Sequence, residues 1–344
     1  MTQPGHFRDR VVDIHLLRGF VNHLLVLLVC AVLLLAGCQD PSAAYPGLLS
    51  SEPSYAALVP DGLGKWDSAQ VHAPAVLKID GEYLLWYDGT NTTDLYKGWS
   101  IGLATSRDGN VWSRSQSNPV LVPGPEGSWD GVSVHDPRVI RDGQRFLMWY
   151  SGFDGRQWRV GLATSEDGRR WTKYQNNPVL EPGQTGSWDD TSVAYSSVVL
   201  SDGMYRMWYQ GGDSRGTWRI GHATSSDGIR WEKSSANPVL QQGSQGEWDN
   251  ERVFTPTVVQ TKAGYLLLYA AGGPGTALGY AISEDGVRWR KDPRGPAITI
   301  MAGAQIMTLT ALQEGDRLNI WFGEQRDGHM SIRRTSATIS GKAR

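Results

Sequence analysis

Trp129-Asp130, followed after three residues by Val134-His135-Asp136-Pro137, is one of four copies of a single pattern. The other copies start at Trp66-Asp67, Trp188-Asp189 and Trp248-Asp249, so successive copies lie 63, 59 and 60 residues apart. Each leads after the same gap into a β-rich run: Val71-His72-Ala73-Pro74, Val193-Ala194-Tyr195-Ser196 and Val253-Phe254-Thr255-Pro256. Self-similarity at a fixed period marks one supersecondary unit stacked on copies of itself.

The copy that begins at Trp129 reads as four strands. Val134 to Ile140 is the first, and a turn at Asp142-Gly143 leads to Arg145 to Tyr150. Trp158 to Thr164 is the third, and Pro178-Val179-Leu180 is a short outer fourth. Short β-rich runs punctuated by Asp-Gly are hairpin signals. Four antiparallel strands repeated radially make a propeller blade. The expected fold is all-β: a five-bladed β-propeller of four-stranded antiparallel blades. The fifth blade shows only three strands, Ile306 to Leu312, Arg317 to Phe322 and Met330 to Ser336. Ala57-Leu58-Val59-Pro60 copies Val120-Leu121-Val122-Pro123 at the same offset before Trp-Asp. The N-terminal strand is therefore expected to complete the last blade and remove an open sheet edge.

Residues 1–37 read as a targeting segment. Arg8, Arg10 and Arg18 precede an apolar run from Leu24 to Leu35, and Leu35-Ala36-Gly37-Cys38 follows. The run is short for a membrane span, and small residues before a cysteine resemble the lipobox of a bacterial lipoprotein signal peptide. That resemblance implies lipidation of Cys38 and, with Gln39 next, an outer-membrane location in the cell envelope. Residues 38–54 would be a tether and 55–340 one propeller domain. The only cysteines are Cys30 and Cys38, which leaves the domain without a disulfide or a cysteine-based metal site. A net charge of −2 gives no basic field for nucleic acid. The expected protein is a monomer with no cofactor.

The chain has 15 tryptophans, and all fall on four repeat positions. A side chain that recurs in every blade does a job every blade needs, which is packing. The Ser-x-Asp-Gly turns that end at Trp112, Trp171, Trp231 and Trp289 resemble the structural Asp-boxes of sialidases. The repeated Asp67, Asp130, Asp189 and Asp249 read as turn or inter-blade hydrogen-bonding groups.

Ligands favour concave mouths. In a propeller, the start of the inner strand and the loop after the second strand share one mouth. Residues that break the repeat there are the candidates. On or just before the inner strands they are His72, His135, Asp136, Arg138, Tyr195, Glu251 and Arg252. On the facing loops they are Asp88, Asp154, Asp213 and Glu324. The two histidines share a repeat position and could hold a sugar hydroxyl, a metal or a water, or simply pack the channel.

His135-Asp136-Pro137-Arg138-Val139 with Phe146-Leu147-Met148-Trp149-Tyr150 resembles the first inner blade of the five-bladed glycoside hydrolases. These are the arabinanases and xylosidases of family 43, the invertases and levansucrases, and the mannoside phosphorylases of family 130. With the lipobox, the resemblance implies a lipid-anchored glycosidase. It would hydrolyse a carbohydrate, an oligo- or polysaccharide, with a carboxylate pair in the axial pocket and with Asp136 as base, nucleophile or transition-state stabiliser. Glycoside hydrolysis uses a second carboxyl group. This chain has Ala75 and Thr255 where family 43 places its other two acids, so Glu251 or Glu324 is the expected acid. His72, His135, Arg138 and Tyr195 would bind sugar hydroxyls, and Asp88, Asp154, Asp213 and Arg252 would line the mouth. A non-catalytic glycan-binding or envelope-assembly lipoprotein, or a glycoside phosphorylase, is the alternative.

Overall fold

The computed structural model describes residues 47–49, 53–272, 276–299 and 304–340. The signal-peptide and Cys38 expectations lie outside these residues. The described part is all-β, with no helix.

Five antiparallel units follow one another along the chain. The first is Gln70–Ile79, Glu82–Thr90, Ser100–Ser106 and Ser113–Arg114. The second is Ser133–Asp142, Arg145–Phe153, Trp158–Ser165 and Thr172–Lys173. The third is Ser192–Ser201, Met204–Gly212, Trp218–Ser225 and Glu232–Lys233. The fourth is Val253–Thr261, Gly264–Ala271, Ala277–Ser283 and Arg290–Lys291, with Ile298–Thr299 also on its third strand. The fifth is Ala304–Glu314, Arg317–Arg326 and His329–Ser340. One boundary differs from the sequence expectation. The fourth strand of the second unit is Thr172–Lys173, while Leu180 makes only a single bridge to Val160.

The N-terminal segment pairs with the outer edge of the fifth unit. Tyr55, Ala56 and Leu58 lie opposite Arg334, Arg333 and Ile332. Gly47–Leu49, within the stretch read as tether, also pairs with this strand, at Thr338 to Ser340. Arg333 donates to the Ser54 side chain and carbonyl. A chain lacking residues up to 52 should therefore melt somewhat lower. Extending the deletion through Pro60 also removes buried Leu58, which is worth about 1.5–3 kcal/mol or several degrees of melting temperature. Equal melting temperatures for the two truncations would contradict the pairing.

The core lies between successive units. Trp86, Trp149 and Trp208 each send the indole N–H to the carbonyl of a turn glycine in the next unit, at Gly168, Gly228 and Gly286. Trp321 of the fifth unit instead packs against Tyr83 and Trp112 of the first. These contacts bear out the packing role read for the second-strand and turn tryptophans. Trp129 lies across a glycine: a Cβ at Gly161 would come within 2.5 Å of its ring. The repeated aspartates work within a unit, not between units. Asp130 accepts from Tyr150 and Lys173 of its own unit, and Asp67, Asp189 and Asp249 repeat this with their own tyrosines and cations.

His222 breaks the pattern without reaching the centre. Its repeat counterparts are Leu103, Leu162 and Tyr280, and both its ring nitrogens are buried without a partner. Burial, then the charge of Arg206, pushes its pKa down to about 4. The folded protein keeps this ring neutral, while the unfolded chain takes up a proton below pH 6.5. Stability is thus lost as pH falls from about 6.5 to about 4, by up to about 3 kcal/mol. His222→Leu should match or exceed the wild type at pH 7 and gain on it progressively toward pH 4. Parallel stability curves across that window, measured by urea unfolding, would contradict this.

Candidate active site

The inner strands carry a repeated irregularity. Each of the first four units has a bulge near the start of this strand, between His72 and Ala75, His135 and Arg138, Ala194 and Ser197, and Phe254 and Thr257. The bulge puts Ala73, Asp136, Tyr195 and Thr255 at positive φ, between 45° and 52°. Non-glycine residues rarely adopt this region. Such strain persists where surrounding structure holds it, and it concentrates at functional sites.

A bulged N–H leaves the ladder and needs another acceptor. For the second, third and fourth units the second strand of the preceding unit supplies it, and for the first unit the first strand of the fifth unit does. Asp136 N donates to both oxygens of Asp88, at 3.0 and 3.1 Å. Tyr195 N donates to Ser151 Oγ at 3.0 Å, and Thr255 N to Gln210 Oε1 at 3.3 Å. Ala73 N donates to Thr308 Oγ1 of the fifth unit at 3.1 Å. Ser151, Gln210 and Thr308 did not stand out as single residues. The register Trp86-Tyr87-Asp88, Trp149-Tyr150-Ser151, Trp208-Tyr209-Gln210 contained the first two.

Asp88 is the hub of a buried cluster, not a loop residue. Beyond the Asp136 amide, its Oδ2 lies 3.2 Å from His135 Nδ1 and 3.6 Å from His72 Nδ1. His72 Nε2 lies 3.3 Å from Thr308 Oγ1. Protons on both Nδ1 atoms complete this network, because Thr308 can then donate to His72. His72, Asp88 and His135 are also the one metal-type ligand set among the described residues, with ligand atoms within 4.8 Å of one another. His135 is wedged between Trp99 and Trp158, both at 5.0 Å.

Burial governs the protonation here. It pushes His135 down to about 3 and lowers His72 as well, against the opposing pull of Asp88. Burial also pushes Asp88 up to about 6, although His72 opposes it. Asp136 is driven well above the usual carboxylate range, by burial first and the Asp88 charge second, with Arg138 pulling the other way. No charged or backbone donor reaches the Asp136 carboxyl oxygens, and the nearby Ser151 hydroxyl also opposes the rise. A buried carboxylate without such a donor is costly, and the protonated form removes that cost. Tyr195 is held as the neutral phenol, chiefly by desolvation.

Arg138 braces the inner strands. It crosses to three other inner strands, donating to Ser196 O at 2.9 Å, Thr257 Oγ1 at 3.0 Å and Leu309 O. The remaining candidates are dispersed. Glu251 is exposed in the turn before Val253. Glu324 is buried on the second strand of the fifth unit and paired with Arg326 at 3.1 Å and Arg333 at 3.7 Å. Its neighbour Gly323 packs directly on His72. Asp154 and Asp213 cap their own loops, taking backbone N–H groups and the guanidinium of Arg159 or Arg219. Arg252 lies over Trp218 and Phe254 and donates to Gly272 O.

Comparison with known proteins agrees with this architecture. A solved glycoside hydrolase of the GH130 family of mannoside phosphorylases, which targets beta-1,2 mannosidic linkages in Candida mannan, superposes with a TM-score of 0.66. The match covers 86% of this chain and 95% of that one at 19% identity. The beta-1,2-mannobiose phosphorylase of Listeria innocua superposes with a TM-score of 0.65 over 84% of this chain and 98% of that one, at 17% identity. In sequence, the beta-1,2-mannobiose phosphorylase of Thermoanaerobacter sp. is 30% identical over 125 residues, 32% of this chain and 40% of that protein. An uncharacterized protein of Mycobacterium tuberculosis is 28% identical over 244 residues, 67% of this chain and 79% of that one. The family model described as beta-1,4-mannooligosaccharide phosphorylase matches residues 96–277, more than half of the 344 residues. The chain belongs to glycoside hydrolase family 130.

Proposed function

We propose that the protein is a glycoside phosphorylase acting on β-mannosides, with Asp136 as its acid. The supporting observation is geometric: Asp136 is the central carboxyl that is buried and tied to no charged or backbone donor, with only the Ser151 hydroxyl beside it. Asp88 is committed to two imidazoles and the Asp136 amide, and Glu324 to two arginines. Two-carboxylate hydrolysis needs a second group free to activate water. Phosphorolysis does not, because an inorganic phosphate oxygen forms the new bond to the anomeric carbon. Asp136 gives its proton to the departing glycosidic oxygen, and the carboxylate left behind regains one from solvent. The products are mannose 1-phosphate and a shortened acceptor sugar. Tyr195, on the equivalent bulge of the next unit, positions the sugar.

The five units are read as the blades of a closed propeller, with the N-terminal strands completing the last blade. Cys38 is read as the lipid anchor that holds the domain to the cell envelope. Loss of radiolabelled palmitate from a Cys38→Ala chain would support the anchor, and retained label would exclude it.

A second reading, hydrolysis, draws on Glu324, which is buried one residue from the glycine that touches His72. Incubating the protein with β-1,2- and β-1,4-mannooligosaccharides, with and without inorganic phosphate, separates the readings. Cleavage that requires phosphate and yields mannose 1-phosphate supports phosphorolysis. Free mannose at equal rates in both buffers supports hydrolysis with Glu324 engaged. No product from any mannoside favours the glycan-binding alternative.

A further inference from the structure

An aromatic run leads from the surface to the buried cluster, and the repeat does not explain its outer part. From the inside, His135 packs on Trp158 at 5.0 Å, and Trp158 stacks on Phe153 at 4.5 Å with 17° between the rings. Phe153 in turn meets Tyr96 at 6.1 Å. The Tyr96 side of the run is open, with 56% of the residue exposed. The register positions of Phe153 in the other units hold Thr90, Gly212, Gly272 and Gln325. A packing need shared by all units therefore cannot account for it.

Tyr96 sits on the longest of the loops that join second to third strands in the first three units. That loop spans 91–99, against 154–157 and 213–217 in the next two units. It is built to stay in place. Asp94 accepts the amides of Tyr96 and Lys97, and its carbonyl accepts the Trp99 indole N–H. Gln70 donates to Thr92 O. The loop docks on the inner strand of the second unit, where Ser133 donates to Tyr96 O and Gly98 N donates to Val132 O. Ser133 is two residues from His135. A rigid, half-exposed aromatic pair beside a polar centre fits a ring that is apolar on its faces and polar on its rim.

We propose that Tyr96 and Phe153 form a sugar-stacking subsite that binds the oligosaccharide beyond the cleaved bond. The inference rests on the carbohydrate reading above, but its test does not need turnover. The full chain carrying Asp136→Asn is titrated by calorimetry with manno-, xylo-, arabino- and gluco-oligosaccharides. Adding Tyr96→Ala should weaken the binding found by about 5-fold or more. Tyr96→Phe keeps the ring and should bind like the parent, and Phe153→Leu should weaken binding as Tyr96→Ala does. In the active enzyme, the Tyr96→Ala loss should fall on KM more than on kcat. The melting temperature of Tyr96→Ala serves as the folding control.

Unchanged affinity in a folded Tyr96→Ala chain overturns the subsite and leaves the phosphorylase reading standing. Weakened binding of a glycan that is never cleaved keeps the subsite and sinks the phosphorylase reading. No binding of any oligosaccharide by the parent overturns the subsite.

Discussion

Asp136→Asn should lower turnover by roughly 10²–10⁴-fold, the usual contribution of a positioned proton donor. The amide has the shape of the acid but has no proton to give at neutral pH. The fold should survive, because Asp88 is held by the backbone N–H of residue 136, which asparagine retains. The melting temperature should stay level or rise, since a buried carboxyl with no charged or backbone donor is replaced by a neutral group. Turnover within tenfold of the wild type would show that the chemistry lies elsewhere. A collapse in stability alongside lost activity would show that Asp136 is structural.

Arg138→Met should produce the largest stability loss of any single change at the centre. Arg138 is half-buried, desolvation of its guanidinium pushes the pKa down to about 10, and it ties the second unit to the third, fourth and fifth. Removing it takes a donor from the Ser196 carbonyl, leaves the Leu309 carbonyl with Thr257 Oγ1 as its side-chain donor, and leaves Asp136 without its nearby cation. Breaking a buried charged network of this kind costs about 3–5 kcal/mol, or on the order of 10 °C in melting temperature. Arg138→Lys keeps the charge but not the fork that reaches three strands, so it should recover only part of the loss. A melting temperature within about 2 °C of the wild type would contradict the bracing role.

Much of this arrangement was legible in the sequence, because a repeat exposes both its rule and its exceptions. The Trp-Asp spacing located the units, and the Ala57-Leu58 offset located the strand that joins the last one. Asp136, His135 and His72 stood out as exceptions on inner strands, and they do share one buried cluster. What the sequence withheld was direction. It could not show that Arg138 reaches across to three other strands. Nor could it show that Asp154 and Asp213 turn back to cap their own loops. Asp88 read as a loop group because strand ends look like loops in sequence. Its role depends on a bulge in the next unit, which is a tertiary feature. Tyr96 and Phe153 carry no mark in the sequence, because their pairing joins a loop of the first unit to a strand end of the second.

The most direct test runs the reaction backwards. The protein is given mannose 1-phosphate together with mannose or a mannooligosaccharide acceptor, and release of inorganic phosphate is followed by ³¹P NMR. A phosphorylase that uses Asp136 as its acid must also use it as the base for the acceptor hydroxyl, so the wild type should release phosphate only when acceptor is present. Asp136→Asn should release essentially none. Phosphate release without acceptor, equal release by the variant, or no release by either protein would contradict the account.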